Sequence, residues 1–299
     1  MEGRAAALGA GTVLNALATG TGAAFGIDVE TQATVTLDPD AAAVDGRIAE
    51  DSTADTELIE RCVALATDRW GDGEGGSVRT ESDVPLAAGL KSSSAAANAT
   101  VLATCAALGL TIGDEGDTDA DVTWLEACRL GVRAAREAGV TVTGAFDDAT
   151  ASMLGGVTVT NNGADTLVSR DPLTWDVLVW TPTARAYSAD ADVERCTSVA
   201  PMAELVADLA TEKRYAEAMS VNGLAFSAAL GFDPDPAVEA MPNATGVSLS
   251  GTGPSVVAVA DPADPDTDLD AVAAAWSERP GTLRRTTTRN DGATIIDYP

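Results

Sequence analysis

Acid–base chemistry in this chain must fall to carboxylates, because its 299 residues include no histidine. Ser-His-Asp hydrolysis and histidine-bound zinc are excluded on the same ground. Of the 46 acidic side chains, Asp147 and Asp148 have the most informative setting. They are adjacent, and they lie between Gly144 and the pair Gly155 and Gly156 in a stretch otherwise short of charge. Small neighbours let a ligand come close, so a carboxylate here could take the proton of an attacking hydroxyl. An acidic first turn of a helix would explain the pair without any chemistry. The scarcest cation type is lysine, present only as Lys91 and Lys213. Lys91 falls in a loop of small residues: Pro85, Leu86, Ala87, Ala88, Gly89, Leu90, Lys91, Ser92, Ser93, Ser94 and Ala95.

Such a loop needs elements to aim it. Ser77–Val84 has the character of a strand, and from the serines to Leu108 nearly every residue favours a helix. A helix beginning at the serines would turn its unpaired first-turn N–H groups and positive dipole end into the loop, a setting that binds phosphate. The plain alternative is an ordinary turn with Ser92 as an N-cap, and the Walker spacing G-x-x-x-x-G-K-[ST] is absent. A second glycine loop, Gly251, Thr252, Gly253 and Pro254, joins two strand-like runs within Gly246–Val259. It suits an anion nest or a hairpin turn. Arg185, just past a short apolar run at Val177–Trp180, could meet an acidic substrate or only the acids around it.

The remaining pattern is that of a mixed fold. Ile27–Leu37 alternates as a half-buried strand does, while Asp55–Trp70 and Val122–Ala138 repeat apolar residues at helical spacing. Further helices are expected near Val199–Leu209, Thr211–Leu230 and Leu269–Trp276, and strands at Gly156–Thr160, Thr282–Thr288 and Ala293–Ile296. With no βαβ alternation evident, two-layer α+β domains are expected, divided in the polar run 161–172 into 1–160 and 161–299. Ala5–Phe25 is apolar and crowded with glycines, with Asn15 and Thr19 among its polar members. Cys62, Cys105, Cys128 and Cys196 form no CxxC pair and are expected as reduced core thiols of a cytoplasmic protein. Neither an export leader nor an apolar run of about 18 residues is found.

Three of these segments carry a family resemblance. Pro85, Gly89, Leu90, Ser92 and Ser93 match the second motif of the GHMP kinases, P-x-x-x-G-L-x-S-S-A. Lys91 stands where most of that superfamily has glycine and Ser94 where it has alanine, and GLKSSSA is most similar to the archaeal shikimate kinase branch. Thr143–Gly156 resembles the family's G-x-x-D segment, and Gly246–Val259 its third, glycine-rich motif. The resemblance implies a two-domain α+β fold, ribosomal-S5-like then ferredoxin-like. It implies ATP bound by Pro85–Ala95 with Gly251, Thr252 and Gly253, and Mg²⁺ held by Ser93 and Glu137. It further implies phosphorylation of the 3-hydroxyl of shikimate beside Asp147, Asn15 and Thr19, with Lys91 assisting. Homoserine kinase shares these motifs, and a non-catalytic nucleotide-binding protein would share the loops.

Eighteen basic residues against 46 acidic give a net charge of −28. Such a surface repels nucleic acid and anionic lipid, so neither is an expected partner. It suits high salt, where a Debye length of about 3 Å at 1 M mutes self-repulsion. The melting temperature is therefore expected to climb as KCl rises from about 0.1 M to about 3 M. A calorimetric scan that is flat over this range would contradict it.

Overall fold

The structure, a computed structural model, describes residues 1–85, 88–141, 144–183 and 191–296. Of the candidate residues, Leu86, Ala87 and Arg185 lie outside them. Strands β1 (Glu2–Leu14) and β2 (Thr21–Asp38) form a long antiparallel hairpin. The first is built of alanine, glycine and leucine because it is covered on both faces and almost wholly buried. The second alternates buried and open residues from Ile27 to Asp38, one face in the core and one in water. Along its length β2 pairs first with β7 (Val157–Asn161) and then with β4 (Gly75–Ser82).

One βαβ unit does occur, contrary to expectation. Strand β3 (Val44–Ile48) runs parallel to β4, with α1 (Glu57–Trp70) between them. Its sequence VDGRI is short, charged and half-exposed, so it carries little hydrophobic pattern. The run 161–172 likewise holds strand β8 (Thr166–Asp171), paired with β7, so the chain leaves the first sheet only after Asp171. The chain returns at its end, where β13 (Thr294–Ile295) pairs with β1.

Helix α2 (Ser92–Ala107) lies at the centre of this half. It packs against β1 and β2 on one side and against α1, α3 (Trp124–Glu137) and α4 (Phe146–Leu154) on the other. A helix covered this fully must be apolar or small all round, and α2 is mainly alanine with Val101, Leu102 and Cys105. Thr123 and Glu126 start α3 with a reciprocal capping box. The short ladder of β5 (Ile112–Gly113) and β6 (Val122–Thr123) leads into it.

The second sheet comprises β9 (Asp176–Pro182), β10 (Gly246–Leu249), β11 (Val256–Ala260) and β12 (Gly281–Thr287), antiparallel in the order β10-β11-β9-β12. Helices α5 (Val193–Thr197), α6 (Ala200–Thr211), α7 (Tyr215–Leu230) and α8 (Asp235–Ala240) separate its first two strands, and α9 (Leu269–Ser277) its last two. This is the ferredoxin-like arrangement. Alternation along β9 divides its neighbours: Leu178 and Trp180 join the core under α8 and α9, while Val177 and Val179 join α6, α7 and the first sheet's Val13, Phe25 and Ile27. The two sheets thus share a core, where the Phe25 and Trp175 rings meet edge to face at 5.7 Å. All four cysteines are free and buried, and no helix among the described residues is long and apolar enough to cross a membrane.

Gly3 shows how closely α2 lies on β1. A Cβ there would run into the backbone of Ala103 and Ala107, which cannot yield as a side chain could. Gly3→Ala is expected to destabilise the fold by about 1–3 kcal/mol. Urea unfolding at fixed salt measures this, and an unchanged midpoint would disprove the close contact.

Candidate active site

The loop ahead of α2 makes its turn with two left-handed residues, Gly89 (φ 78°) and Lys91 (φ 68°). At Gly89 a Cβ would strike the carbonyl oxygens of Ser250 and Gly253, so the second glycine loop lies directly on the first. The Ser250 hydroxyl donates to the Gly89 carbonyl at 2.8 Å, and Ala10 N–H donates to the Leu90 carbonyl at 3.2 Å, anchoring the loop to both sheets. For a non-glycine residue the left-handed state costs roughly 1–2 kcal/mol, so surrounding contacts must hold Lys91 in place.

Those contacts are electrostatic. Lys91 is 8% exposed, and its Nζ lies 2.8 Å from Asp148 Oδ1, an ion pair rather than an aligned hydrogen bond. Gly251 leaves room for it, since a Cβ there would lie 2.7 Å from Nζ. The ammonium therefore stands between the two glycine loops and α4. The first turn of α2 has no acidic residue and no side-chain cap, and the N–H groups of Ser92, Ser93 and Ser94 have no acceptor among the described residues. Ser93 is exposed and Ser92 half-buried, so these donors open outward.

Asp147 and Asp148 both occupy the first turn of α4, where the dipole favours negative charge. Asp147 is enclosed at 4% exposure, and Asn162 Nδ2 donates to its Oδ1 at 2.7 Å. Burial and then the neighbouring Asp148 charge push its carboxyl up to about 7; Lys91 and the Asn162 amide act the other way. Asp148 is the more open of the two and the one paired to Lys91.

Asp147, Lys91, Ala88 to Ala95 and Gly251 to Gly253 are thus brought together. Asn15 is engaged by the protein itself: its Nδ2 donates to the Gly251 carbonyl at 2.8 Å, its Oδ1 accepts from Leu17 N–H and its own N–H donates to Asn222, so it braces the glycine loop. Thr12 braces the same loop, accepting from Gly251 N–H at 2.7 Å. Thr19 is exposed in the β1–β2 turn. Glu137 is not brought to this group: it is exposed on α3 and pairs with Arg133 and Arg61, surface partners that occupy its carboxylate. Asn162 and Thr12 escaped sequence reasoning, because a single asparagine or threonine in a polar or apolar run carries no periodic signal.

Comparison with known proteins gives the family and the fold. The family model for the GHMP kinases N terminal domain matches residues 57–156. A shikimate kinase of Halobacterium salinarum is 60% identical over 293 residues, 98% of this chain and 99% of that protein. One of Methanosarcina mazei is 47% identical over 296 residues, 98% of this chain and 96% of the relative. Among solved structures, homoserine kinase from Cytophaga hutchinsonii superposes with a TM-score of 0.73 at 16% identity, covering 99% of this chain and 97% of that one. Methanococcus jannaschii mevalonate kinase gives 0.70 at 12%, with 97% and 98% covered. The chain belongs to the GHMP kinases and, within them, to the family of the archaeal shikimate kinases.

Proposed function

We propose that this protein transfers the γ-phosphoryl group of ATP to the 3-hydroxyl of shikimate, with Mg²⁺ as the accompanying cation. Lys91 carries the reading: its ammonium lies where α2 begins and pairs with an acid where α4 begins, so one cation borders a place for phosphate and a place for a hydroxyl. The residues suit nucleotide phosphates, since the Ser92 to Ser94 N–H groups find no acceptor among the described residues and Gly89 and Gly251 keep side chains out of the way. Mg²⁺ keeps several waters and takes few protein ligands, so it would be held by Ser93 together with the phosphate oxygens; Glu137, engaged with Arg133 and Arg61, lies apart from this group. Bound together, ATP and Mg²⁺ would supply the phosphoryl group and spread its charge.

The chain's own residues then divide the work. The first turn of α2 and Lys91 hold phosphate against the repulsion of an acidic protein. Asp148 orients the acceptor hydroxyl and receives its proton, while enclosed Asp147 supports the turn behind it. This gives Asp148 the role first expected of Asp147, because a base must be within reach of its substrate. Arg185 is retained as the candidate partner of the shikimate carboxylate. The free thiols and the −28 charge support a cytoplasmic, high-salt setting.

In molar KCl with Mg²⁺ and ATP, shikimate is expected to be phosphorylated in strong preference to homoserine and mevalonate. Preference for another alcohol, or ATP binding without turnover of any, would refute the assignment. Asp148→Asn should lower kcat by about 10²–10⁴-fold and Asp147→Asn by no more than about tenfold; the reverse order would return the base role to Asp147. Asp147 also sets a pH dependence. Its pKa is about 7 when folded and about 3.9 when unfolded, so the native state binds the extra proton and stability falls as pH rises across that window. Asp147→Asn removes the penalty, and its melting temperature should exceed that of the parent protein near pH 8 but converge with it near pH 4. A constant offset at both pH values would rule this out.

A further inference from the structure

The turn between β7 and β8 begins with two asparagines that behave differently. Asn161 closes the turn, its Oδ1 accepting from the N–H groups of Gly163 and Ala164. Asn162 turns inward, is 2% exposed, and has every kind of polar group engaged. Its N–H donates to the Gly20 carbonyl at 2.8 Å, and its own carbonyl accepts from Arg136 at 3.3 Å. Its Oδ1 accepts from Asp147 N–H at 3.1 Å and from the Thr160 hydroxyl at 2.8 Å, and its Nδ2 donates to Asp147 Oδ1 at 2.7 Å. Two donors on Oδ1 settle which way the amide faces, so nitrogen meets the carboxylate. Helix α4 has no cap of its own, since Ala145 precedes it, and Asn162 supplies that cap from another strand. On the opposite side Asp147 Oδ2 lies over Gly22, where a Cβ would come within 2.5 Å. The carboxylate is thereby held by the amide at one oxygen and packed against Gly22 with the other, one residue before Asp148.

Resting on the kinase reading above, we propose that Asn162 is a positioning residue: it fixes Asp147 and the first turn of α4 so that Asp148 stays aligned with Lys91 and the phosphate loop. The charged groups that act on Asp147 are Asp148 on its own helix and Lys91 at the head of α2; Arg136 on α3 reaches the Asn162 carbonyl, lies against Gly144 ahead of α4 and is paired with Asp165 in the turn. In this company a neutral amide is the fitting partner. It donates to the carboxylate without cancelling its charge, as a lysine would, and without adding a like charge, as an aspartate would.

The test compares Asn162→Asp and Thr160→Val with the parent protein in molar KCl, by kcat and KM across pH and by ¹³C NMR of carboxyl-labelled aspartate, with Asp147→Asn identifying the resonance. Asn162→Asp keeps the size and the acceptor for Asp147 N–H but replaces the donor with like charge. It should lower kcat about 10–100-fold with little change in KM for ATP. It should also move the acidic limb of the kcat profile and the Asp147 titration to higher pH. Thr160→Val, which only frees the amide to rotate, should shift the same quantities less, and it serves if the first variant does not fold. A role in stability alone would lower the melting temperature and leave the acidic limb and the carboxyl titration in place, and that result overturns the proposal. If the parent protein does not phosphorylate shikimate, the kinase reading falls by itself. The carboxyl titration then still decides on Asn162: a titration that moves supports its hold on Asp147, and one that stays refutes it.

Discussion

One ammonium group ties this site together. Lys91 Nζ lies against Asp148 from α4, beside Gly251 of the second sheet's loop, at the head of the helix that fills the first half. Burying a cation is tolerable only when an opposite charge is close and the remaining surroundings are polar, and each requirement is met by a different part of the chain. The left-handed backbone at Lys91, the glycine at 251 and the acid at 148 are parts of one solution. Removing any one leaves the other two strained or unpaired.

That solution is notable for where it places its charge. Most arginines of this acidic protein are engaged at the surface, as in Arg61 with Glu57, Arg79 with Glu81 and Arg279 with Glu239. Each such exposed pair contributes little and weakens as salt rises. The pair at Lys91 is shielded from bulk ions, so salt that screens the surface changes it much less. Global acidity and a local anion site therefore coexist without either having to be weak.

Where the sequence carried a repeating signal, the fold was legible. The alternation at Ile27–Leu37, the apolar spacing of α1 and α3 and the loop-to-helix junction at Ser92 all appear as expected, because periodic burial leaves a periodic trace. Strand β3 left none, being an edge strand of charged and half-exposed residues, and β8 passed for a polar connection because its residues alternate between open and half-open. In the site, the loop stood out by composition and by resemblance. That Asp147 is enclosed and Asp148 the more open of the two was not legible, since adjacent residues on a helix point about 100° apart and only packing decides which is buried. The bracing bonds of Asn15 were hidden for a related reason: its partners, the Gly251 carbonyl and Asn222, lie more than two hundred positions away.

The return of the chain to the first sheet ties α4 to sequence far from it. Ala293 N–H donates to the Met153 carbonyl at the end of α4, Arg289 exchanges backbone bonds with Gly26 and Gly156, and β13 pairs with β1. Arg170 adds a clasp, reaching the carbonyls of Gly155, Leu154 and Asn290 together. The helix that bears both aspartates is thus seated by residues 289–295, a contact of high sequence separation. Closing so long a loop costs chain entropy before the contact is rewarded, so the seat of α4 forms after the local helices and hairpins, and the two carboxylates take their places late in folding.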